Sequence, residues 1–303
     1  MNTLGFDNRR FRELLSGQQA WTLLYLPAAI CPCRDRQTGS PSKNCPVCAG
    51  YGFTWQSPPL EEWSERFYMG SIRRPPVLRY KHVKAEDILE VRDEQGTVYP
   101  FQLEAGRIVF PTLSPPVGAA FTVRYRAPLT VLGHISGLSS QREVGEEGIW
   151  EHKTLTLTLS DRMQAPDGSW RDNPAYNAEE NDRFVVVDAT TRVQQVLWRG
   201  ENERLLYGYI YTVLSCHSLA RKTYARQDWQ YGSDFTLEGG LVRWQPGRGP
   251  EDGLPYSVSY LAAPEWYVFR SADLTRRQGG QNLPKRLTLR SWELYPQPGA
   301  ERR

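Results

Sequence analysis

Four of the five cysteines in this 303-residue chain lie within eighteen consecutive positions. They form a C-x-C pair, eleven intervening residues and a C-x-x-C pair, and the loop between the pairs is rich in glycine, proline and serine. Two thiol pairs joined by such a loop can surround one ion tetrahedrally, as structural zinc sites do. The spacing therefore predicts a structural zinc ion whose ligands are Cys31, Cys33, Cys45 and Cys48.

Disulfide bridges are the alternative use of these cysteines. The N-terminal segment lacks the apolar core and cleavage site of a signal peptide, which favours a reducing cytoplasm, where cysteine clusters more often bind metal. A bridge between Cys31 and Cys33 would be strained by its short span, whereas pairing of 31 with 48 and 33 with 45 stays open.

A structural rather than a catalytic ion is expected at this site. Four cysteines complete a tetrahedral shell and leave no open position for substrate or water. The four histidines are scattered along the chain and form no H-E-x-x-H pair. Carboxylate clusters, a glycine-rich phosphate loop and a G-x-S-x-G elbow are also missing, so we expect a protein that is not an enzyme.

The overall charge limits the partners that the chain can bind. A net charge of +3 is too small to attract nucleic acid or membranes strongly, and no apolar run approaches the ~20 residues that span a bilayer. Within the cysteine loop the basic residues are Arg34, Arg36 and Lys43, few for a nucleic-acid-binding zinc ribbon. We expect neither a membrane nor a specific nucleic acid as a partner.

One helix and many strands are predicted. The segment DNRRFRELLSG has an apolar stripe at helical spacing, with Asp7 suited to the N-cap and Gly17 to the C-terminal stop. After residue 20, alternating apolar and polar residues such as KTLTLTLS (153–160) are typical of strands. The expected fold class is mainly β, with tandem β-sandwich or barrel-like domains, a short N-terminal helix and a small four-cysteine zinc module.

An internal repeat supports this class. FQLEAGRIVF (101–110) and FTLEGGLVRW (235–244) share four identities at a constant offset of 134, and each is followed by a proline- and glycine-rich loop and an alternating strand. We expect four consecutive domains: 1–60 with the helix and zinc module, 61–135 as the first β domain, 136–220 as the middle β domain, and 221–303 with the second repeat and a C-terminal strand.

Few other residues suggest chemistry. Cys216 and His217 adjoin on a predicted strand, where neighbours face opposite sides, so they are not expected to form a catalytic dyad. Asp182 and Asp188 flank a predicted strand and are expected to be solvated turn residues. The C-terminal LTLRSWELY (287–295) can add an edge strand to a neighbouring subunit.

Two resemblances bear on the function. CPVCAGYG (45–52) resembles the C-x-x-C-x-G-x-G unit of the zinc region in J-domain chaperones, which implies metal binding. The whole arrangement resembles structural proteins of tailed bacteriophages, namely the neck, collar and tail-completion proteins, some of which carry an N-terminal module of this pattern before β domains. The matching residues are Cys31, Pro32, Cys33, Gly39, Pro41, Cys45, Pro46, Cys48, Gly50 and Gly52.

The phage resemblance implies a head-tail connector role in the virion. The chain would assemble in the host cytoplasm into a homo-oligomeric ring between the capsid portal and the tail, and its partners would be further copies of itself and other virion proteins. A baseplate or tail-tip protein is the first alternative. A zinc-ribbon nucleic-acid-binding protein and a tail-associated hydrolase are less favoured, because the basic patch and the catalytic groups that they need are missing from the sequence.

Overall fold

Strands dominate the fold. The structure is a computed structural model that describes residues 8–16, 20–70, 76–78, 80, 82–104, 106–145, 148–165, 169–271, 277–278 and 281–295. Strands account for 51% and helix for 6%, which confirms the mainly β class with one short helix and a cysteine module. Across these ranges, no helix is both long and apolar enough to cross a membrane.

The described residues form one α-helix, three short 3-10 helices and 23 strands. The helix is α1 (Asn8–Ser16), and the 3-10 helices are Ala85–Asp87, Pro174–Asn177 and Trp292–Leu294. The strands are β1 (Trp21–Leu26), β2 (Ala28–Ile30), β3 (Phe53–Trp55), β4 (Leu60–Tyr68), β5 (Ile88–Asp93), β6 (Gln102–Glu104), β7 (Arg107–Val109), β8 (Ala120–Pro128), β9 (Thr130–Gly145), β10 (Gly148–Leu159), β11 (Arg162–Gln164), β12 (Trp170–Asp172), β13 (Arg183–Val186), β14 (Thr191–Trp198), β15 (Ile210–Leu219), β16 (Arg226–Trp229), β17 (Phe235–Glu238), β18 (Leu241–Trp244), β19 (Pro255–Ala262), β20 (Glu265–Ser271), β21 (Arg277–Gln278), β22 (Gln281–Asn282) and β23 (Lys285–Ser291).

The chain divides into two compact units. Unit 1 comprises Met1–Val187 and Trp266–Arg303, and unit 2 comprises Asp188–Glu265. This division differs from the four consecutive segments expected from the sequence (1–60, 61–135, 136–220 and 221–303). The difference arises because the C-terminal strands return to the sheet that the N-terminal strands begin, so distant parts of the chain share one core.

Unit 1 is built around a closed barrel of six strands, in the order β1, β13, β20, β23, β10 and β9. In β10 the alternation of threonine and leucine buries Leu155, Leu157 and Leu159, each at most 3% exposed. Close packing extends to the backbone, because a Cβ atom at Gly133 would lie 2.6 Å from Cδ1 of Leu157. A larger residue at this position of β9 would therefore have to displace leucine side chains of the barrel core.

The helix α1 belongs to unit 1 and is tied to it by an ion pair. The Arg12 guanidinium donates two hydrogen bonds from Nη2 to the Asp161 carboxylate, at 2.9 and 3.0 Å. The helix was expected from its apolar spacing and is confirmed. Asp7 and Gly17, its expected N-cap and C-terminal stop, lie outside the described residues.

The repeated sequence corresponds to one similar sheet in each unit. In unit 1, β8 lies between β4 and β5, and the β6–β7 hairpin precedes β8 in the chain. In unit 2, β19 lies between β14 and β15, β16 extends the sheet, and the β17–β18 hairpin precedes β19. Apart from β16, both sheets have the same element order and the same antiparallel pairing.

The same two backbone hydrogen bonds fix the hairpin in each copy. In each copy, a segment earlier in the chain lies beside the hairpin. The amide of a leucine in that segment donates to the carbonyl of a hairpin glycine, and the amide two positions after that glycine donates to a carbonyl of the same segment. The four bonds are Leu78 to Gly106 at 2.9 Å, Ile108 to Pro76 at 3.0 Å, Leu205 to Gly240 at 2.8 Å and Val242 to Glu203 at 3.0 Å.

Two expectations about individual segments are wrong. The C-terminal LTLRSWELY does not offer a free strand, because β23 is an inner strand of the barrel and pairs with both β10 and β20. Asp182 is not a solvated turn residue, since it is 5% exposed and accepts hydrogen bonds from the Tyr25 hydroxyl and the Ala28 amide, both at 2.7 Å. Asp188 is exposed, as expected.

Candidate metal centre

A small hairpin positions the four cysteines in unit 1. β2 pairs with β3, so that Cys31, directly after β2, lies beside Gly52, directly before β3. The Cys31 amide donates to the Gly52 carbonyl at 3.0 Å and continues the ladder by one bond. The loop between the two strands therefore starts and ends at the same place, with a cysteine pair near each end.

The second cysteine pair is held by a tight turn. The Ala49 amide donates to the Cys45 carbonyl at 2.8 Å, and the Tyr51 amide donates to the Cys48 carbonyl at 3.0 Å. The chain then turns back through Gly52, whose amide points at Cys48 Sγ from 3.3 Å. Amides directed at cysteine sulfur stabilise the thiolate form that binds metal.

The four sulfur atoms lie at the spacing of a tetrahedral metal centre. All four are within 4.8 Å of one another. Cys31 Sγ and Cys45 Sγ are 3.8 Å apart, and Cys33 Sγ and Cys48 Sγ are 3.4 Å apart. Zinc–sulfur bonds of ~2.3 Å in a tetrahedron place sulfur atoms about 3.8 Å apart. The cluster can therefore bind a metal ion with little movement.

Burial and charge also suit a metal cation. Three of the thiols are buried and the fourth, Cys33, is half-buried. Hydrogen bonds from the Cys48 and Val47 amides lower the pKa of Cys45 to about 6, whereas desolvation raises the pKa of Cys33 to about 12. One thiolate thus forms readily near neutral pH, and a coordinated divalent cation would supply the charge that deprotonates the others.

The structure brings together all four cysteines that the spacing singled out. Every cysteine is a free thiol, and the nearest sulfur pairs are 31 with 45 and 33 with 48, not the pairs of the disulfide alternative. Among the described residues, these four cysteines form a group close enough to share one metal ion, and the group contains no carboxylate or histidine. Its shell of four sulfur ligands is closed.

The fifth cysteine lies apart, in unit 2. Cys216 is 2% exposed on β15, and desolvation raises its pKa to about 12. His217, the next residue, is half-buried. A buried, protonated thiol is a poor nucleophile.

An aromatic cluster anchors the cysteine module to the barrel within unit 1. Trp55 of β3 packs against Trp292 at 5.1 Å between ring centroids, and Trp292 stacks on Tyr295 at 4.6 Å. The Arg183 guanidinium lies 3.7 Å from the centre of the Trp292 ring and 5.0 Å from that of Trp55. Trp55 Nε1 also donates to the Asn181 carbonyl at 2.9 Å.

Sequence reasoning missed this cluster. Its members come from three distant segments of the chain. Two of these segments are rich in aromatic residues, which was the available signal: YGFTW (51–55) after the cysteines and SWELY (291–295) at the end of β23. Because a cation over aromatic rings is stabilised when it is removed from water, Arg183 links the module to β13 of the barrel.

No family model matches the chain, and no curated protein matches it significantly.

The turn after Cys48 gives a testable consequence of this geometry. Gly52 has φ +77°, and an added Cβ would lie 2.8 Å from Arg34 Nε and 3.0 Å from Pro41 Cβ. Gly39 has a similar φ of +68° but nothing within 4 Å. We expect Gly52→Ala to lower the free energy of unfolding by roughly 2–3 kcal/mol and Gly39→Ala by about 1 kcal/mol.

Denaturant unfolding of the metal-loaded variants, followed by tryptophan fluorescence, measures this difference. The Gly39 variant is the matched control, since it carries the same backbone strain without the contact. Equal losses in the two variants would show that the contacts around Gly52 add nothing to the stability of the module.

Proposed function

We propose that this chain is a structural component of a tailed-phage virion, and that it forms a homo-oligomeric neck or collar ring between the capsid portal and the tail. The phage assignment rests on the resemblance of the cysteine stretch to such proteins. The observation that carries the structural role is the closed four-sulfur site, which can hold an ion but offers it no open position for substrate.

We further propose that the ion is zinc. Four thiolates at tetrahedral spacing match the ligand set of structural zinc sites, and the shell of backbone amides around the sulfurs is typical of them. The ion would fix the loop between β2 and β3, which has few apolar residues of its own, and so present a rigid module on the barrel.

The use of buried acidic residues supports a structural role. Asp182 accepts three hydrogen bonds that hold neighbouring backbone and tyrosine groups, among them the Glu179 amide at 2.9 Å. Glu203 in unit 2 is similarly occupied, with hydrogen bonds from four donors. Carboxylates engaged in this way fix the fold and are poorly placed to transfer protons to a substrate.

Metal content and mass together test the proposal. Elemental analysis of natively purified protein should give about one zinc ion per chain. Size-exclusion chromatography with light scattering should give a mass several times the 34.8 kDa of one chain, and image averages of the particles should show a ring with cyclic symmetry. A metal-free monomer would contradict both the zinc assignment and the ring.

A further inference from the structure

The four sulfur atoms of the metal centre form two close pairs, and each pair joins the C-x-C motif to the C-x-x-C motif. Cys33 Sγ lies 3.4 Å from Cys48 Sγ, and Cys31 Sγ lies 3.8 Å from Cys45 Sγ. Since the sulfur atoms of a disulfide are ~2.05 Å apart, each pair has to close by less than about 2 Å. Rotation of the cysteine side chains covers a distance of this size, so both pairs are placed to form disulfides.

Disulfides between these pairs would keep the loop closed without a metal ion. The loop begins at Cys31 and ends at Gly52, whose carbonyl accepts a hydrogen bond from the Cys31 amide at 3.0 Å. Each of the two pairs has one cysteine near the start of the loop and one near its end. Disulfides within the C-x-C and C-x-x-C motifs would instead leave the two ends unlinked, and the first of them would be strained by its short span.

Exposure decides which cysteine an oxidant reaches first. Cys33 is half-buried, whereas the other three are buried: Cys31 is 2% exposed, Cys45 8% and Cys48 4%. A peroxide molecule is small and reaches the accessible sulfur, and the oxidised sulfur then meets the nearest thiol. For Cys33 this thiol belongs to Cys48. The site therefore has an accessible cysteine with a buried partner beside it, an arrangement found in thiols that respond to oxidation.

We propose that the metal centre is also a redox site, at which reaction with a hydroperoxide converts the four cysteines into two disulfides. The disulfides are Cys31–Cys45 and Cys33–Cys48. The ion is released, because no thiolate remains to bind it. The pairing rests on the sulfur positions alone, whereas release of an ion rests on the proposed zinc assignment. The metal holds the loop between β2 and β3 closed in a reducing compartment, and the disulfides hold it closed in an oxidising one.

Each disulfide forms in two steps that consume one peroxide. The Cys33 thiolate attacks an oxygen of hydrogen peroxide, the O–O bond breaks, and a sulfenic acid and hydroxide result. The Cys48 thiolate then attacks the sulfenic sulfur, the S–S bond forms, and a second hydroxide leaves. The two hydroxides take up the protons that the two thiols released, so that two thiols and one peroxide give one disulfide and two waters. A second peroxide oxidises Cys31 and Cys45 in the same way.

Oxidation of the full-length, zinc-loaded chain is the first test. With a small excess of hydrogen peroxide, the number of free thiols should fall from five to one, since Cys216 lies outside the four-cysteine group. A chromogenic chelator should report the release of about one zinc ion per chain. Trypsin cleaves after Arg34, Arg36 and Lys43, which separate the two motifs, so the two cysteine peptides should stay linked until a reducing agent is added. Reduction should restore all five thiols, which distinguishes disulfides from irreversible oxidation.

Two single variants identify which cysteines pair. After oxidation, the thiol of the group that is left free should be that of Cys45 in Cys31→Ser. In Cys33→Ser it should be that of Cys48, and alkylation followed by mass spectrometry locates it. Fragmentation of the linked peptides from the unmodified chain gives the same assignment without a variant. Cys216→Ser is the matched control and should form both disulfides.

The tryptophan fluorescence of the oxidised chain tests whether the loop stays closed. Trp55 of β3 packs against Trp292, and removal of the ion by a chelator under reducing conditions should shift the emission to longer wavelength. The oxidised chain has also lost the ion, but its emission should stay at the wavelength of the zinc-loaded chain, because the disulfides join the ends of the loop. An equal shift in the two samples would overturn the closed oxidised state.

The outcomes separate this inference from the proposed function. A zinc-loaded chain whose thiols stay reduced, or pass to sulfinic acid without a disulfide, overturns the inference and leaves the zinc and ring proposals standing. Disulfides within each motif, or free thiols exchanged between the two single variants, overturn the assigned pairing. A chain purified without metal overturns the zinc assignment and the release of an ion, while its disulfide map still tests the pairing.

Discussion

Replacing Cys45 by serine should abolish tight metal binding and unfold the cysteine module. Its sulfur lies 3.8 Å from Cys31 Sγ. Hydrogen bonds from the Cys48 and Val47 amides lower its pKa, which favours the thiolate form that binds a cation. Loss of a structural metal removes the free energy that holds a loop-rich segment together. We expect the free energy of unfolding of unit 1 to fall by roughly 3–5 kcal/mol, and its Tm to fall by about 10 °C.

Two measurements check this result. The zinc content measured by elemental analysis should fall from about one ion per chain to less than about 0.2. Tryptophan fluorescence should shift to longer wavelength, because Trp55 and Trp292 pack together where the module meets the barrel. Cys216→Ser is the control for the loss of any thiol, since Cys216 lies in unit 2 and outside the four-cysteine group.

A Cys45→Ser protein that keeps one tightly held metal ion per chain would contradict the four-ligand site. A Cys216→Ser protein that loses as much metal as Cys45→Ser would also contradict it. Treatment of the unmodified chain with a strong chelator should reproduce the fluorescence shift of Cys45→Ser, since both remove the ion from the same module.

The cysteine site was predictable because its determinants are local in the sequence. Spacing alone identified the four cysteines that the fold brings together, and the small residues after Cys48 identified a turn that directs an amide at its sulfur. The repeat was also visible, because alternation and glycine placement are set within each hairpin. These features depend on contacts between residues near one another in the chain.

Closure of the barrel was not predictable in this way. An alternating strand such as β23 has the same sequence pattern whether it lies at an edge or between two neighbours. β23 pairs with both β20 and β10, and its pairing with β10 joins segments more than a hundred residues apart in the chain. Asp182 was misassigned for the same reason. Its burial depends on Tyr25 and Ala28, which come from the other end of unit 1.

The duplication also shows where the two copies differ. In both copies a hairpin amide donates to the carbonyl of the preceding segment, but that carbonyl belongs to Pro76 in the first copy and to Glu203 in the second. The backbone interaction is therefore shared, while the side chain at this position is free to differ. In unit 2 the side chain is a buried carboxylate, 7% exposed, at the centre of a hydrogen-bond network.

Four donors surround this carboxylate. Oε2 accepts from the Tyr256 hydroxyl at 2.5 Å and from Trp244 Nε1 at 2.7 Å. Oε1 accepts from Arg199 Nη1 at 2.9 Å and from the Gly200 amide at 3.0 Å. Each oxygen has two donors, so the site is matched to a charged carboxylate.

Glu203→Gln should therefore destabilise unit 2 by about 3 kcal/mol, although the side chain keeps its size and shape. The amide nitrogen replaces one acceptor with a donor, so that two of the surrounding donors lose their partner. Glu201→Gln, two positions away and exposed, should change the free energy of unfolding by less than about 0.5 kcal/mol. Urea unfolding followed by tryptophan fluorescence measures both values.

The stabilisation by Glu203 should also depend on pH with a definite sign. Burial acts to raise the pKa of this carboxyl, but the hydrogen bonds from its four donors outweigh burial, so the pKa in the folded state lies below its ordinary value. A lowered folded-state pKa gives stability that is present above the unfolded-state pKa and is lost as pH falls through the folded-state pKa. The difference in stability between the unmodified chain and Glu203→Gln should therefore be largest near about pH 7 and shrink towards about pH 3. If the difference is the same at both ends of this range, the charge of the carboxylate is not what holds the network, and the loss in Glu203→Gln comes from the geometry of the amide instead.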